Sequence, residues 1–584
     1  MYIKTTKSKG YEYLYLVEDV YEAGRKKKTI MLERLGRADL IAPEVLQSMK
    51  GSELKGCRYT VAGIERTLSK VLPSIIGDPE TETSEDDKEG SIPSLNYGHL
   101  VIKQIWNGTL HLSRFFSRCT TIKRSTRAQH RLKLSTVGYF LCASKVMSPS
   151  SYLGLFAQNN AFLANPISSL DLNSIYRSLS YFGRFKDEIM KHTYAAISDE
   201  LKLDQPKLLF FDCTNFYFET PYSSKEEFIM DYHKACTLKM INAGASPSEI
   251  KLYLQSDEYS KELTAALDKA KEDGELMRMY GLSKDGKSQP LVGMSLVIDE
   301  HGFPLDFELY PGNESEFSHL RDSIESIKTK YGITDAFFVA DRGLNSGQNL
   351  QFIQANKFGF IIAQKVSQQT AKQRAEMLSD EGWKTIDLDK NGDVWARSLF
   401  DDEDGALYRY KVCDCTKVVY EKNEEVDDKG KRTTGKRGRK LEVKCKIIYT
   451  FSEKRKRRDL LVLDALVAKA QAAIASGQLA KNATGSGWHR LALTSAEVAK
   501  NTEDKEQYRY IALNLKKINN LKEIAGYAAL VYSPPEGCEG TDSLEITAQQ
   551  GYKQLVQIED CFRTAKTNLQ LRPVFLKRND RTKG

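Results

Sequence analysis

The sequence predicts an α/β fold, and two kinds of segment support this prediction. Two short apolar runs each contain an aspartate: residues 208–218 read LLFFDCTNFYF, and residues 336–343 read AFFVADRG. Continuous apolar runs of this length are typical of strands buried in a sheet. Other segments have apolar residues at helical spacing, such as SEFSHLRDSIESIKTKYG at residues 315–332. Strands and helices that alternate in this way are typical of an α/β domain.

The composition is that of a soluble globular protein. The chain has 584 residues, of which 41% are hydrophobic, and this length allows roughly three or four domains. No run of about 18 apolar residues occurs, and the N-terminus, MYIKTTKSKGYEYLYLVEDV, lacks the apolar core of a signal peptide. We therefore expect a cytoplasmic protein that does not bind a membrane.

The cysteines do not predict a metal site. All ten are scattered, and no CxxC pair occurs. Cys413, Cys415 and Cys445 come closest to a cluster, but a structural zinc site normally has a second close pair of ligands. Buried free thiols are therefore the expected state.

Charge is distributed unevenly along the chain, whose formal net charge is +8. Residues 429–458 contain fourteen Lys or Arg and two Glu, which gives this segment a net charge of 14 − 2 = +12. A charged run is often only a solvated loop. Beside a site for phosphodiesters, the same run favours a polyanionic partner. Its candidate DNA contacts are Lys436, Arg437, Arg439 and Lys440.

Three units are predicted before the candidate core. Residues 1–70 alternate apolar and polar positions, which predicts a small hairpin-rich unit followed by a helical stretch. Residues 77–96 are acidic and rich in Ser, Thr, Pro and Gly, as in a flexible linker. Residues 98–203 have helical periodicity, with Asp171 as a candidate helix cap. The basic stretch at 118–133 is either a DNA-recognition surface or a solvated loop.

From residue 207, the predicted elements follow the order strand, strand, strand, helix, strand, helix, strand. This is the order of the ribonuclease H-like α/β fold, whose first and fourth strands are neighbours in the sheet. Asp212 and Asp341 would therefore lie side by side. Residues 367–522 contain short strands and a basic helix, which predicts a β-rich insertion in this core. An apolar strand and a helix that carries Glu559 follow the insertion.

Three carboxylates are the candidate catalytic and metal-binding groups: Asp212, Asp341 and Glu559. Two acids at strand ends and one on a helix can hold a pair of hard divalent cations, Mg²⁺ or alternatively Mn²⁺. Two such cations serve in-line displacement at a phosphodiester. Any one acid taken singly is more often a solvated strand end or a helix cap. For Glu559, a surface ion pair is the competing interpretation.

With these residues assembled, the chain resembles a DDE transposase of the bacterial insertion-sequence type. The resemblance is to the superfamily with a Tyr-Arg-Glu-Lys signature helix and a β-rich insertion in a ribonuclease H-like core. FFDCTNFYFE resembles its first-Asp motif, and FVADRGLNS its second-Asp motif. GLSKDGK and the following PLVGMSLVIDEHGFPLDFELYPGNES resemble the segment between these acids. In YKQLVQIEDCFRTAKTNLQLRPVF, Tyr552, Glu559 and Lys566 have the spacing of the signature, whereas Leu555 replaces its Arg.

The resemblance implies that Asp212, Asp341 and Glu559 are catalytic and bind two Mg²⁺ ions. It also implies DNA contacts from four further side chains: Tyr552, Arg563, Lys566 and Arg342. The implied partners are the terminal inverted repeats of the element, target DNA and a second copy of the chain on that DNA. The implied location is the cytoplasm of a bacterium, in association with the nucleoid.

The function that the resemblance implies is cleavage of the ends of an insertion sequence and joining of the 3′-hydroxyl ends to target DNA. Two alternatives stay open: a ribonuclease H-like nuclease that only hydrolyses, and a truncated DNA-binding relic. The second alternative arises because the chain ends in RPVFLKRNDRTKG, where relatives continue into an apolar helix. The predicted units are a small α+β unit at 1–75, a linker at 76–97, a helical DNA-binding domain at 98–205, the first part of the core at 206–366, the insertion at 367–522 and the last part of the core at 523–584.

Overall fold

The structure, a computed structural model, divides into two compact units, Met1–Pro93 and Ser94–Gly584. It describes the backbone of residues 2–8, 11–20, 28–37, 58–61 and 64–67 in the first unit. In the second unit it describes residues 97–118, 134–159, 162, 167, 170–385, 408–420, 439–479, 487–494, 509–538, 544–576 and 578–584. The predicted linker before Tyr97, most of the basic stretch at 118–133, and Lys436 and Arg437 lie outside the described residues.

The described part of the first unit consists of strands: β1 Tyr2–Ser8, β2 Tyr11–Val20, β3 Lys28–Arg37, β4 Arg58–Val61 and β5 Ile64–Thr67. β1, β2 and β3 form an antiparallel sheet in this order, and β4 and β5 form a hairpin. The predicted hairpins are therefore present. The helical stretch predicted after the hairpins falls largely on residues 38–57, which lie outside the described residues, and the described residues beyond them, 58–61 and 64–67, form β4 and β5.

Helices make up the described residues from 98 to 201, as predicted: α1 Gly98–Gln104, α2 Leu112–Arg118, α3 Leu134–Met147, α4 Tyr152–Ala157, α5 Leu172–Arg184 and α6 Lys186–Leu201. Val137, Phe140, Ile175 and Leu179 are buried in their shared core. The predicted cap at Asp171 is confirmed, since its Oδ1 accepts a hydrogen bond of 2.7 Å from the backbone N–H of Ser174 at the start of α5.

The second unit contains eleven strands within the described residues: β6 Leu208–Tyr217, β7 Leu291–Asp299, β8 Pro304–Pro311, β9 Phe337–Ala340, β10 Gly359–Gln364, β11 Lys384–Thr385, β12 Tyr408–Tyr420, β13 Lys440–Ser452, β14 Ala492–Thr494, β15 Tyr510–Leu513 and β16 Tyr527–Ser533. Nine of them form one mixed sheet in the order β11-β12-β13-β16-β10-β9-β6-β7-β8. β6 pairs in parallel with β9 and antiparallel with β7. The two strands that lead into the candidate aspartates are therefore neighbours.

The remaining helices of the second unit are α7 Ser224–Asn242, α8 Pro247–Leu254, α9 Asp257–Glu272, α10 Glu316–Tyr331, α11 Gly347–Ala355, α12 Ala371–Leu378, α13 Glu453–Ala475, α14 Leu515–Glu523, α15 Leu544–Gln554, α16 Val556–Arg563 and α17 Asn579–Thr582. A π-helical turn, Thr564–Asn568, continues α16. Within the described residues, none of these helices has the length and apolar composition needed to span a membrane.

The long strands of the region predicted as an insertion, residues 367–522, belong to the central sheet. β12 and β13 pair with each other, and β13 pairs with β16. Val443, Ile447 and Tyr449 of β13 are buried in the same core as the central strands, so burying this face holds the hairpin on the sheet. Only the later part of the region, with α13, α14, β14 and β15, packs around a small cluster of its own.

The central sheet has two apolar faces, and these determine where its side chains point. Leu209 of β6 belongs to the core under α10 and α11. Leu208 and Phe210 belong to the core on the opposite face, which Ile558 and Phe562 of α16 cover. Successive side chains of a strand point to opposite faces. The face beneath α16, called the α16 face below, is therefore the face of the even-numbered positions of β6.

Candidate active site

Asp212 lies within β6 on the α16 face, because it follows Leu208 and Phe210 at intervals of two residues. The neighbouring apolar side chains leave it only partly exposed. The backbone N–H of Cys213 donates a hydrogen bond of 2.7 Å to Asp212 Oδ1. A carboxylate is thus delivered by one of the most buried strands of the sheet.

Asp341 directly follows β9 and lies on the same face. Phe337 and Val339 belong to the α16-face core. The backbone of Asp341 is still extended, so its side chain continues this alternation and points to the same face as Phe337 and Val339. Ala340 is the register partner of Phe211, which makes Asp341 and Asp212 the next positions on adjacent parallel strands. Adjacent strands lie about 4.8 Å apart. The sheet therefore brings these two acids together, although 128 residues separate them in the sequence.

Glu559 lies on α16, which packs across the α16 face through Ile558 and Phe562. Tyr552, seven residues earlier, donates from its hydroxyl to Asp341 Oδ1 over 3.4 Å. Lys566, seven residues later, has its Nζ 6.0 Å from the centre of the Phe216 ring in β6. Tyr552 belongs to α15, Glu559 to α16 and Lys566 to the π-helical turn that continues α16, so the three side chains come from successive helical segments. Glu559 is exposed and lies in sequence between Tyr552, which contacts Asp341, and Lys566, which lies near the strand of Asp212.

Burial and nearby charges shape the titration of this region. Burial raises the pKa of Asp212 to about 6, with Lys284 acting in the opposite direction and Glu316 and Asp341 adding to the rise. Burial, and then the charge of Asp341, raise the pKa of Tyr552 to about 12, so its hydroxyl keeps its proton. Burial lowers the pKa of Lys566, and the charge of Asp285 opposes this effect.

A groove of about 1020 Å³ opens next to Asp341. Tyr552 lines it together with basic side chains from five different segments: Arg342, Lys365, Arg455, Arg490 and Lys553. Arg342, predicted as a DNA contact, is exposed at the start of a 3₁₀ turn. The groove therefore places several positive charges beside a carboxylate.

The other predicted DNA contacts lie in different surroundings. Arg563 is 70% exposed and pairs with Asp560 at 2.7 Å. Lys566 is only 12% exposed, and its Nζ lies 3.8 Å from a carboxylate oxygen of Asp285. Arg439 and Lys440 are exposed at the first end of β13, where Lys440 pairs with Glu442 at 2.9 Å. Twelve residues of strand, roughly 40 Å, separate them from Ser452 at the groove, so the structure does not bring them to the three carboxylates.

A separate acidic cluster lies elsewhere in the fold. Asp187, Asp306 and Glu308 are the acids, within the described residues, whose oxygens all lie within 4.8 Å of one another. Two ammonium groups already sit among them. Lys330 lies 2.7 Å from Asp187 and 2.9 Å from Asp306, and Lys186 lies 2.5 Å from Glu308. We interpret this cluster as an ion-pair network that joins α6 to β8 and α10.

Four charged residues that were not among the predicted site residues also lie near Asp212 or the Glu559 helix: Lys284, Asp285, Glu316 and Arg572. Lys284 lies 2.7 Å from Glu316, and Arg572 pairs with Asp285. The only sequence signal was the segment GLSKDGK, which matches the motif between the two aspartates. Charged residues in a polar loop are usually solvated, so this signal alone did not identify them.

The sequence matches the family described as Transposase DDE domain over residues 273–583, which is more than half of the chain. The chain belongs to this family of DDE transposases. The matched region contains Asp341 and Glu559 but begins after Asp212, so the assignment of Asp212 to the site rests on its register with Asp341.

One solved structure similar to this transposase is the cryo-EM structure of a piggyBac transposase synaptic complex with hairpin DNA. The identity is 8% and the TM-score is 0.23, over 55% of this chain and 60% of the other. This chain thus spans less than two thirds of the length of that transposase. No curated protein matches the sequence.

Proposed function

We propose that this transposase cleaves the ends of its own insertion sequence and joins their 3′-hydroxyl ends to target DNA by two-metal phosphodiester transfer. Two observations support the proposal: the adjacency of Asp212 and Asp341, and the packing of the helix that carries Glu559 over the α16 face. The strand order β8-β7-β6-β9-β10 also supports a ribonuclease H-like core.

The donor chemistry of the three acids fits a hard divalent cation. Carboxylate oxygens are the ligands that Mg²⁺ and Mn²⁺ prefer. Within the described residues, the side-chain carboxylate of Glu559 has no hydrogen bond or ion pair, so it is available for a ligand role. The chemistry that bound metal supplies in such a site is activation of the attacking oxygen and stabilisation of the leaving oxygen.

The surrounding residues of the chain orient these acids and the DNA. Tyr552 holds Asp341 through its hydroxyl, and its raised pKa keeps it a hydrogen-bond donor. Lys566 is only 12% exposed, so solvent screens its positive charge weakly and the charge can attract one phosphate of the DNA. The basic groove beside Asp341, which Tyr552 also lines, suits a DNA strand that passes this acid, because phosphate contacts dominate DNA affinity.

The proposal extends to assembly and location. Two element ends joined to one target require two sites held close together, so we propose that a homodimer forms on the terminal inverted repeats. The DNA substrate places the enzyme at the bacterial nucleoid in the cytoplasm. The basic residues of β13, Arg439 and Lys440, would then contact DNA remote from the scissile phosphate.

A cleavage and joining assay on a labelled terminal-repeat duplex tests the proposal. The wild-type chain should give products only with Mg²⁺ or Mn²⁺, and Asp212→Ala or Glu559→Ala should abolish them. Asp560→Ala is the matched control on α16, because the Asp560 side chain is half-exposed and its ion pair is with the exposed Arg563. Glu308→Gln, in the separate acidic cluster, should retain activity.

Three results would contradict the proposal. Products that survive both alanine substitutions would exclude the three acids as the catalytic set. Tight binding of the duplex by the wild-type chain without any product would favour a DNA-binding protein that lacks catalysis, and hydrolysis without joining would favour a nuclease.

A further inference from the structure

The segment Gly281–Lys287, called the site loop below, contacts three elements of the candidate active site. It connects α9 to β7 and reads GLSKDGK. The backbone carbonyl of Leu282 accepts a hydrogen bond of 3.1 Å from Asn215 Nδ2 in β6. Its two central residues, Lys284 and Asp285, have opposite charges and contact different elements. The loop therefore links structures that are far apart in the sequence.

Close packing fixes the path of the site loop. A Cβ atom at Gly281 would lie 1.8 Å from the carbonyl oxygen of Gly312, so only glycine permits this approach. Gly286 has a φ of +65°, which glycine adopts without strain. The loop is thus held in a defined turn, although most of its side chains are polar.

Lys284 contacts the strand that carries Asp212. Its Nζ donates to the carbonyl oxygen of Cys213, the next residue of β6, and lies 2.7 Å from Glu316 Oε1 at the start of α10. These contacts use two of the three N–H groups of the ammonium. The positive charge also opposes the rise in the pKa of Asp212. Glu316 therefore holds a cation directly beside the first catalytic candidate.

Asp285 contacts the segment that follows α16. Arg572 donates to its carboxylate, and Lys566 Nζ lies 3.8 Å from the same oxygen. The three side chains are between 12% and 26% exposed, so solvent screens their interaction only weakly. Asp285 thus holds the C-terminal end of the signature helix near Phe216 of β6.

We propose that Lys284 and Asp285 are positioning residues that together hold the Asp212 strand and the Glu559 helix in register. This inference rests on the proposed function, because it assigns the two residues to the same site. The physical reason is that Asp212 and Glu559 lie on different elements. Among the described residues, no direct hydrogen bond joins these two acids. Two adjacent residues of the site loop provide the link, one on each element.

Asp285→Asn gives the sharpest test, because the two possible roles of this acid predict opposite effects. Removal of a negative charge beside DNA should leave DNA affinity unchanged or increase it. If Asp285 positions Lys566 and the helix, cleavage at saturating DNA and Mg²⁺ should nevertheless slow by about 100-fold, the scale expected for a displacement of about 1 Å. If Asp285 is only a counter-ion of Lys566, cleavage should be unchanged or faster, which would overturn the proposal.

Lys284→Gln and Lys284→Arg complete the series, with Lys287→Gln as the matched control in the same loop. Lys287 lies over the Tyr217 ring at 5.5 Å, and Tyr217 is an odd-numbered position of β6, whereas Asp212 is an even-numbered one. The Gln variant of Lys284 should lose cleavage as Asp285→Asn does, the Arg variant should restore part of it, and the control should remain at the wild-type rate. Equal activity of the Lys284 and Lys287 variants would overturn the proposal.

Hydrogen–deuterium exchange of the metal-free protein without DNA separates failure of this inference from failure of the proposed function. Asp285→Asn should increase exchange at residues 556–568 and 212–218, whereas Lys287→Gln should leave both segments protected. This readout does not depend on cleavage, so it tests the link even if the wild-type chain gives no product. Exchange identical to that of the control would overturn the proposal.

Discussion

Replacement of Asp212 by Asn is expected to stabilise the metal-free protein while it abolishes cleavage. Burial raises the pKa of this carboxyl to about 6 from its ordinary value of 3.8. The charged form is therefore less favourable in the folded chain than in the unfolded chain. This penalty is fully present above pH 6, decreases as the pH falls, and vanishes below pH 3.8. Asn has a similar shape and carries no charge, so it removes the penalty.

The magnitude follows from the two pKa values. At pH 7.5, the difference between about 6 and 3.8 corresponds to about 3 kcal/mol at 1.36 kcal/mol per pKa unit. At pH 4.5, the carboxyl of the folded protein is almost entirely protonated, and the same two values leave about 1 kcal/mol. The gain in stability from Asp212→Asn should therefore shrink by about two thirds between these pH values.

Urea denaturation in the presence of EDTA, at pH 7.5 and pH 4.5, measures this effect as a difference in the free energy of unfolding. Asp560→Asn serves as the control, because it removes an exposed carboxylate from an ion pair with Arg563 that contributes less than about 1 kcal/mol. An Asp212→Asn protein that is no more stable than wild type at pH 7.5 would refute the buried placement of this carboxylate. A gain of equal size at both pH values would refute its titration near pH 6.

Three further predictions follow from particular contacts. Gly293→Ala should lower the free energy of unfolding, measured by urea denaturation, by about 1–3 kcal/mol, because its Cβ would lie 2.0 Å from the Tyr310 ring. The control Gly343→Ala, whose Cβ would meet nothing within 4 Å, should leave this free energy unchanged. Tyr552→Phe should slow cleavage by about tenfold through loss of one hydrogen bond, with unchanged DNA affinity in fluorescence anisotropy; a wild-type rate would argue against its role in orienting the second aspartate. Arg455→Ala, in the basic groove, should reduce the slope of log K against log salt by about 1, and an unchanged slope would exclude a phosphate contact there.

The sequence predicted those parts of the site that depend on local pattern. Continuous apolar runs identified the strands of Asp212 and Asp341, because a strand buried on both faces has no polar alternation. The helix that carries Glu559 followed from periodicity and from the spacing of Tyr552 and Lys566. The side-by-side arrangement of the aspartates followed from the order of elements, and the register of β6 and β9 agrees with it.

Features that depend on partners far apart in the chain could not be predicted in this way. The strands of residues 408–420 and 440–452 join the central sheet through β16, whose position no local pattern reveals. The contacts of Lys284 and Asp285 could not be predicted for the same reason. They depend on Cys213 and Lys566, which are far away in the sequence, and a short polar loop with alternating charges has the composition of a solvated surface turn.

Affinity cleavage by Fe²⁺ tests the central claim most directly, because Fe²⁺ bound in place of Mg²⁺ generates radicals that cut the backbone near its ligands. With ascorbate and peroxide, the wild-type chain should be cut near residues 212, 341 and 559, and Asp212→Asn or an excess of Mg²⁺ should suppress all three cuts. Cuts near residues 187 and 306 instead would show that the metal binds the separate acidic cluster, and would contradict the assignment of the active site to the α16 face.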